Sequence, residues 1–240
     1  MKQKTMTLLA AALLMTACQA TAQKKEAPAK ATDGKTFVEK MQEVEKGTAA
    51  ERAAFMEKMK AYKEAERKGD HATAERLDSE MRQLDERYAA VKDSLVKANV
   101  IGMPFEDVVM NDMEGNEVRL SQWAGKGGYV MVDFWASWCG PCCQEMPNVV
   151  ACYEKYKAKG FQVVGISLDS NAEAWKGAVE RLGMKWPQMS DLKGWQSAGA
   201  QLYGVRSIPS TLLIDGEGRI VGINLRGDDL SRQLQEIYGF

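Results

Sequence analysis

The stretch Val130-Met-Val-Asp-Phe-Trp-Ala-Ser-Trp-Cys-Gly-Pro-Cys-Cys-Gln-Glu-Met-Pro147 constrains the fold more than any other part of the chain. It opens as an apolar run, Val130 to Trp135, of the kind that forms a fully buried strand. It then breaks at Ser137-Trp138 and places Cys139-Gly140-Pro141-Cys142 where a helix would begin. Proline is tolerated in the first turn of a helix, because the N–H it lacks would have no partner there. Cys139 is therefore expected at a helix N-terminus, where unpaired N–H groups and the positive end of the dipole favour a thiolate. Cys142, three residues on, can attack a mixed disulfide on Cys139 and release the product. This is the logic of thiol–disulfide exchange.

A Cys-x-x-Cys alone is a weak signal, since zinc sites and structural bridges use the same spacing. Zinc is disfavoured here: the single histidine, His71, lies far away in a charged segment, and no second Cys-x-x-Cys exists. A purely structural bridge would close so short a loop that it would stabilise little.

The same residues carry a resemblance. Val132-Asp-Phe-Trp-Ala-Ser-Trp-Cys-Gly-Pro-Cys142 resembles the thioredoxin active-site segment, and Glu145-Met-Pro147 resembles its exported, TlpA/ResA-like branch of thiol–disulfide oxidoreductases. The match runs from about Ile101 to the C-terminus. It includes Ile101-Gly-Met-Pro-Phe105, Trp186-Pro187, Tyr203-Gly-Val-Arg-Ser-Ile-Pro-Ser-Thr211 and Ile214-Asp-Gly-Glu-Gly-Arg-Ile220. The resemblance implies an α/β, thioredoxin-like fold: a mixed central sheet flanked by helices, with an extra N-terminal hairpin. It also implies a redox-active Cys139–Cys142 disulfide that works without a further cofactor.

At 240 residues the chain has room for one ordinary domain and an appendage. A net charge of −1 gives no reason to expect a nucleic-acid partner. Five unevenly spaced cysteines do not form a disulfide framework, and three of them fall within 139–143, which points to chemistry.

The N-terminus bears on the compartment. Met1-Lys-Gln-Lys4 is a basic n-region, and Met6 to Met15 is an apolar h-region too short to span a bilayer. Residues 1–22 thus read as an export signal, with a periplasmic destination. Two endings compete: Met15-Thr-Ala-Cys18 resembles a lipobox and would make Cys18 a lipidated anchor, whereas Ala20-Thr-Ala22 is an ordinary A-x-A cleavage site. Residues 23–35 are Ala/Lys/Pro-rich and read as a tether.

Residues 36–98 form a separate, helical region rich in Glu, Lys, Arg, Ala and Met. Thr36 with Glu39 and Thr48 with Glu51 have capping-box spacing, and Asp70 after Gly69 is a candidate N-cap. Leu77, Met81, Leu84, Tyr88, Val91 and Leu95 follow a heptad seam. The region is expected to fold as a hairpin or lie against the catalytic domain, with a homo-oligomerisation arm as the alternative. Residues 99–240 are the thioredoxin-like domain. Phe105 to Met110 and Val118 to Leu120 read as a hairpin, with helices over 172–182, 194–203 and 228–238.

Cys139 is the expected nucleophile and Cys142 the resolving thiol, with Gly140 and Pro141 setting the turn. By resemblance, Ile208-Pro209 is a cis bond facing the cysteine pair, leaving the preceding residue free to pair its backbone with substrate. Asp133 is a charge in an apolar strand, and burial should raise its pKa and make it a usable base near neutral pH. It matches the buried aspartate of thioredoxin, while Glu145 matches the acid of the TlpA/ResA-like branch. Many members of that branch are neutral where Asp133 stands, so the division of labour between the two acids stays open. Trp138 is expected on the docking surface and Trp135 in the core. Cys143 and Cys152 are read as a spare thiol and a buried small hydrophobe.

The sequence therefore reads as an exported reductase of protein disulfides. Its substrates would be disulfide-containing proteins, apocytochrome c among the classes the resemblance allows, and a membrane electron donor would re-reduce it. A dimeric isomerase or oxidase is the alternative. A peroxiredoxin-type peroxidase is weaker, because no Thr-x-x-Cys motif precedes the pair. A non-enzymatic envelope interaction protein, with the helical arm binding a partner, completes the alternatives.

Overall fold

The computed structural model describes residues 33–239. Residues 1–22, read above as an export signal with Cys18 as a candidate anchor, and residues 23–32 of the expected tether lie outside the described residues.

Three helices come first: α1 (Phe37–Gly47), α2 (Ala49–Lys68) and α3 (His71–Asn99). Thr36 and Glu39 form a reciprocal capping box, and Asp70 accepts the Thr73 N–H. The box expected of Thr48 and Glu51 does not form. Thr48 both ends α1 and starts α2, and its hydroxyl donates to the Val44 carbonyl of the helix it ends. Gly69, with a φ of +70°, turns the chain between α2 and α3. The two helices pack as a hairpin joined by a Lys58–Glu80 ion pair at 2.6 Å. Leu77 and Met81 of the heptad series are buried within this hairpin, so that part of the seam needs no second copy.

The first helix is not an isolated arm. Phe37 and Val44 of α1, and Val96 of α3, belong to the same apolar core as the central sheet. The Phe37 ring meets Tyr203 edge-on at 5.4 Å, and Tyr203 meets Phe134 at 5.8 Å.

A short hairpin follows, β1 (Val109–Asn111) and β2 (Glu117–Arg119). Its first strand starts later than the apolar run from Phe105 implies. The reason is a competing partner: Phe105 N–H donates to the Gly218 carbonyl at 2.8 Å, and Pro104 bridges to Arg219. The second sheet contains β3 (Tyr129–Trp135), β4 (Phe161–Ser167), β5 (Gln188–Met189), β6 (Ser210–Ile214) and β7 (Ile220–Ile223), in the order β5-β4-β3-β6-β7. The β3–β4 and β4–β5 pairs are parallel, and β3–β6 and β6–β7 antiparallel. Helices α4 (Gly140–Tyr156), α5 (Ala172–Arg181), α6 (Ala198–Leu202) and α7 (Gly227–Tyr238) flank this mixed sheet, giving the thioredoxin-like fold.

The helix expected over 194–203 is broken into a 3₁₀ turn (Gly194–Gln196) and α6. Asp191 accepts the Ala198 N–H, which caps α6 there and leaves the preceding residues as a separate turn.

Central strand β3 explains the rest. Six of its seven residues are buried, so both faces must be covered, and its C-terminal end delivers the chain to Cys139. Gly165 on β4 makes room for that end. A Cβ there would lie 2.2 Å from Gln188 Oε1, which accepts the Trp135 indole N–H at 3.1 Å.

Candidate active site

Cys139 and Cys142 form a disulfide, with sulfurs 2.02 Å apart. Cys139 is the N-cap of α4, with Gly140 and Pro141 exposed in its first turn. The Cys142 N–H donates to Cys139 Sγ at 3.2 Å. In the reduced protein the same donor and the helix dipole would favour a thiolate on that sulfur. Both cysteines are buried in the disulfide form, Cys142 (1% exposed) more deeply than Cys139 (5%).

The Ile208–Pro209 peptide bond is cis. Ser210 pairs with Phe134 across the antiparallel β3–β6 ladder, so Pro209 lies level with the end of β3. Both site loops therefore emerge at one end of the sheet.

Asp133 is fully buried in β3, opposite Gly165 on one side and Thr211 on the other. Burial, and secondarily the negative charge of Glu145, pushes its carboxyl up to about 7. A proton can therefore be held or released there near neutral pH. Glu145 lies one turn along α4 from Cys142 but is not a solvated surface group. Half-buried, its Oε1 accepts the Gly227 N–H and the Asn148 Nδ2–H, both at 2.8 Å. Residue 227 opens α7, and its N-cap Arg226 supplies no side-chain cap, so Glu145 takes that place from a distant helix.

The other thiols stand apart from this exchange. Cys143 is free and half-buried, with Sγ 3.7 Å from the Ser137 carbonyl. Cys152 is free and buried beside Ser231, and burial raises its thiol pKa. Trp135 is wholly buried in the core, whereas Trp138 stands exposed beside Cys139.

Comparison with known proteins agrees with this geometry. The Redoxin family model matches residues 101–237, more than half of the chain. The chain belongs to the redoxin family. It is 36% identical over 135 residues to the thiol-disulfide oxidoreductase ResA of Bacillus thuringiensis (strain Al Hakam), covering 56% of this chain and 75% of that one. The crystal structure of the thioredoxin domain of a Bacteroides vulgatus thiol-disulfide oxidoreductase matches at 35% identity and a TM-score of 0.53. That match covers 57% of this chain and 97% of the other. The C-terminal domain of a Bacteroides thetaiotaomicron relative matches at 31% identity and a TM-score of 0.53, over 57% and 95% of the two chains. This redoxin is thus a TlpA/ResA-like enzyme of the thioredoxin superfamily, a thiol–disulfide oxidoreductase. Helices α1 to α3 precede the residues the family model matches.

Sequence reasoning missed part of the redoxin site. Asp169, only 1% exposed, accepts the Ser137 N–H at 2.9 Å and the Ser137 hydroxyl at 2.6 Å, two residues before Cys139. The signal was there: like Asp133, it is a carboxylate next to an apolar run, Phe161 to Leu168. Arg206, just before the cis bond, pairs with Glu45 of α1 at 3.2 Å. Nothing local in the sequence could have joined those two.

Proposed function

We propose that this redoxin reduces disulfides in exported proteins. The reduced Cys139 thiolate attacks a substrate disulfide, forming a mixed disulfide and releasing one substrate thiolate. Cys142 then gives up its proton, with Asp133 as the acceptor, and attacks Cys139 Sγ. The enzyme is left with its Cys139–Cys142 disulfide, the second substrate sulfur leaves as a thiolate, and Asp133 passes its proton to solvent. Two electrons pass to the substrate. The observation that best supports this is the Cys139 sulfur at the start of α4, receiving the Cys142 N–H, one strand-end away from a buried acid that titrates near neutrality. The Gly140-Pro141 dipeptide resembles that of reducing thioredoxins, which favours reduction over oxidation.

Export rests on the leader-like residues 1–22, with Cys18 a candidate lipid anchor. Among the described residues, no helix is long and apolar enough to cross a membrane. Re-reduction outside the cytosol calls for a membrane electron donor, and apocytochrome c is one substrate class that fits.

The test is direct transfer. Reduced enzyme, freed of small thiols, is mixed with a disulfide-bonded protein and the free thiols of each are counted. The reading expects two thiols gained by the substrate for each enzyme disulfide formed. A Cys142→Ser variant should stall as a mixed disulfide, and Cys139→Ser should form none. If the reduced enzyme transfers nothing, while the oxidised enzyme makes disulfides in reduced substrates, the oxidase or isomerase reading takes its place.

A further inference from the structure

Among the described residues, two of the large apolar side chains left exposed, Trp138 (54% exposed) and Trp195 (43%), lie together. Trp138 is the residue before Cys139, and its ring lies 6.0 Å from that of Trp195. The two indoles therefore form one apolar surface that begins at the active disulfide, although Trp195 is 57 residues further along the chain by numbering.

The loop carrying Trp195 is firmly held. Asp191 accepts the Lys193 and Ala198 N–H groups, Gln201 Nε2 donates to the Trp195 carbonyl at 2.9 Å, and Ser190 Oγ accepts the Leu192 N–H. Leu192 itself is in the left-handed region, with a φ of +56°, a conformation unusual for a branched side chain. The same interior network reaches both loops. Ser190 Oγ donates to the Ser167 carbonyl, the Ser167 hydroxyl donates to Asp169, and Asp169 accepts both Ser137 groups next to Trp138. Rigid aromatic side chains at a contact surface lose little freedom on binding, which is what a recognition surface requires.

We propose that Trp195, with Trp138, is a docking platform for polypeptide segments that carry a large apolar side chain beside the disulfide to be exchanged. The proposal rests on the reductase reading above. The occupant follows from position and chemistry: the platform is continuous with Cys139, so whatever covers it is attached to the disulfide being attacked. Its apolar, aromatic face offers a bulky apolar group removal from water and gives a polar one little in return. Trp195 is a specificity-determining residue on this account, outside the electron transfer itself.

The experiment uses the whole chain and two synthetic peptides of one sequence, each closed by a disulfide, with Phe or Ser next to one cysteine. For the wild type, kcat/KM for reduction should be about tenfold higher for the Phe peptide, mostly through KM. Trp195→Ala should bring the ratio to about one, and Trp195→Phe should restore much of it. Met56→Ala, which removes an exposed apolar group on the distant α2, should leave the ratio unchanged. A wild-type ratio near one, or a tenfold ratio surviving in Trp195→Ala, would overturn the platform while leaving the reductase reading intact. Transfer of electrons to neither peptide would overturn that reading, and the platform with it.

Discussion

Glu145 Oε1 accepts the backbone N–H of Gly227 at 2.8 Å, so the helix that carries the two cysteines also caps the C-terminal helix. One carboxylate thereby caps α7 and adds its negative charge to the burial that raises the Asp133 pKa. The two tasks can be separated by substitution.

Glu145→Gln keeps an oxygen that can accept the Gly227 N–H but removes the charge. Because the like charge of Glu145 raises the Asp133 pKa, the titration of Asp133 should move down in this variant while stability changes little. Glu145→Ala should show the same downward movement and also lose about 1 kcal/mol of stability, as expected for a lost cap. Urea unfolding, with the Asp133 carboxyl followed by carbon NMR, measures both effects. An unmoved Asp133 titration would remove Glu145 from its electrostatic role.

Asp133 makes stability depend on pH with a definite sign. Its folded pKa, about 7, lies above the ordinary carboxylate value, so the folded state holds this proton more tightly than the unfolded chain. Its contribution is fully favourable below about pH 4 and is lost as pH rises to about 7. Asp133→Asn removes that dependence. Thermal unfolding of the oxidised proteins should show the variant gaining on the wild type between about pH 4 and 7, then holding a constant lead. A difference that does not vary with pH would contradict the assignment.

Phe37 precedes the family-matched residues yet lies in their core, against Tyr203. Phe37→Ala should therefore cost about 3 kcal/mol or more in the whole chain, measured by urea unfolding. A loss below about 1 kcal/mol would mean that α1 is an independent arm after all.

The two thiols outside the disulfide should react at different rates. Cys143 is half-buried, whereas Cys152 is buried with its pKa raised by that burial. Iodoacetamide should label Cys143 well before Cys152 in the oxidised protein, as read by peptide mass. Equal rates would contradict the placement of Cys152.

Much of the fold was legible because it is written locally. The buried run Val130 to Trp135, the proline after Cys139 and the caps at Thr36 and Asp70 each mark their own element. Errors arose where one residue had two partners to choose from. Thr48 belongs to two helices, Phe105 pairs with Gly218 instead of continuing a strand, and Asp191 breaks a helix by capping it late. The site divides the same way. The cysteines and Asp133 stand out in the sequence by spacing and by a charge out of place. Asp169 stands out in the same way, at the end of the apolar run Phe161 to Leu168. Its Ser137 partner, the cap that Glu145 gives α7 and the Trp138–Trp195 pair depend on tertiary proximity, and no local pattern carries them.

The direction of electron flow is the central claim, and the reduction potential of the Cys139–Cys142 pair tests it most directly. It should be titrated against a thiol–disulfide buffer at pH 7, with Cys143 and Cys152 replaced by alanine. A value near that of thioredoxin, about −270 mV, is the result a reductase predicts. A value between about −120 and −180 mV would contradict it and make the enzyme an oxidant or isomerase of protein disulfides.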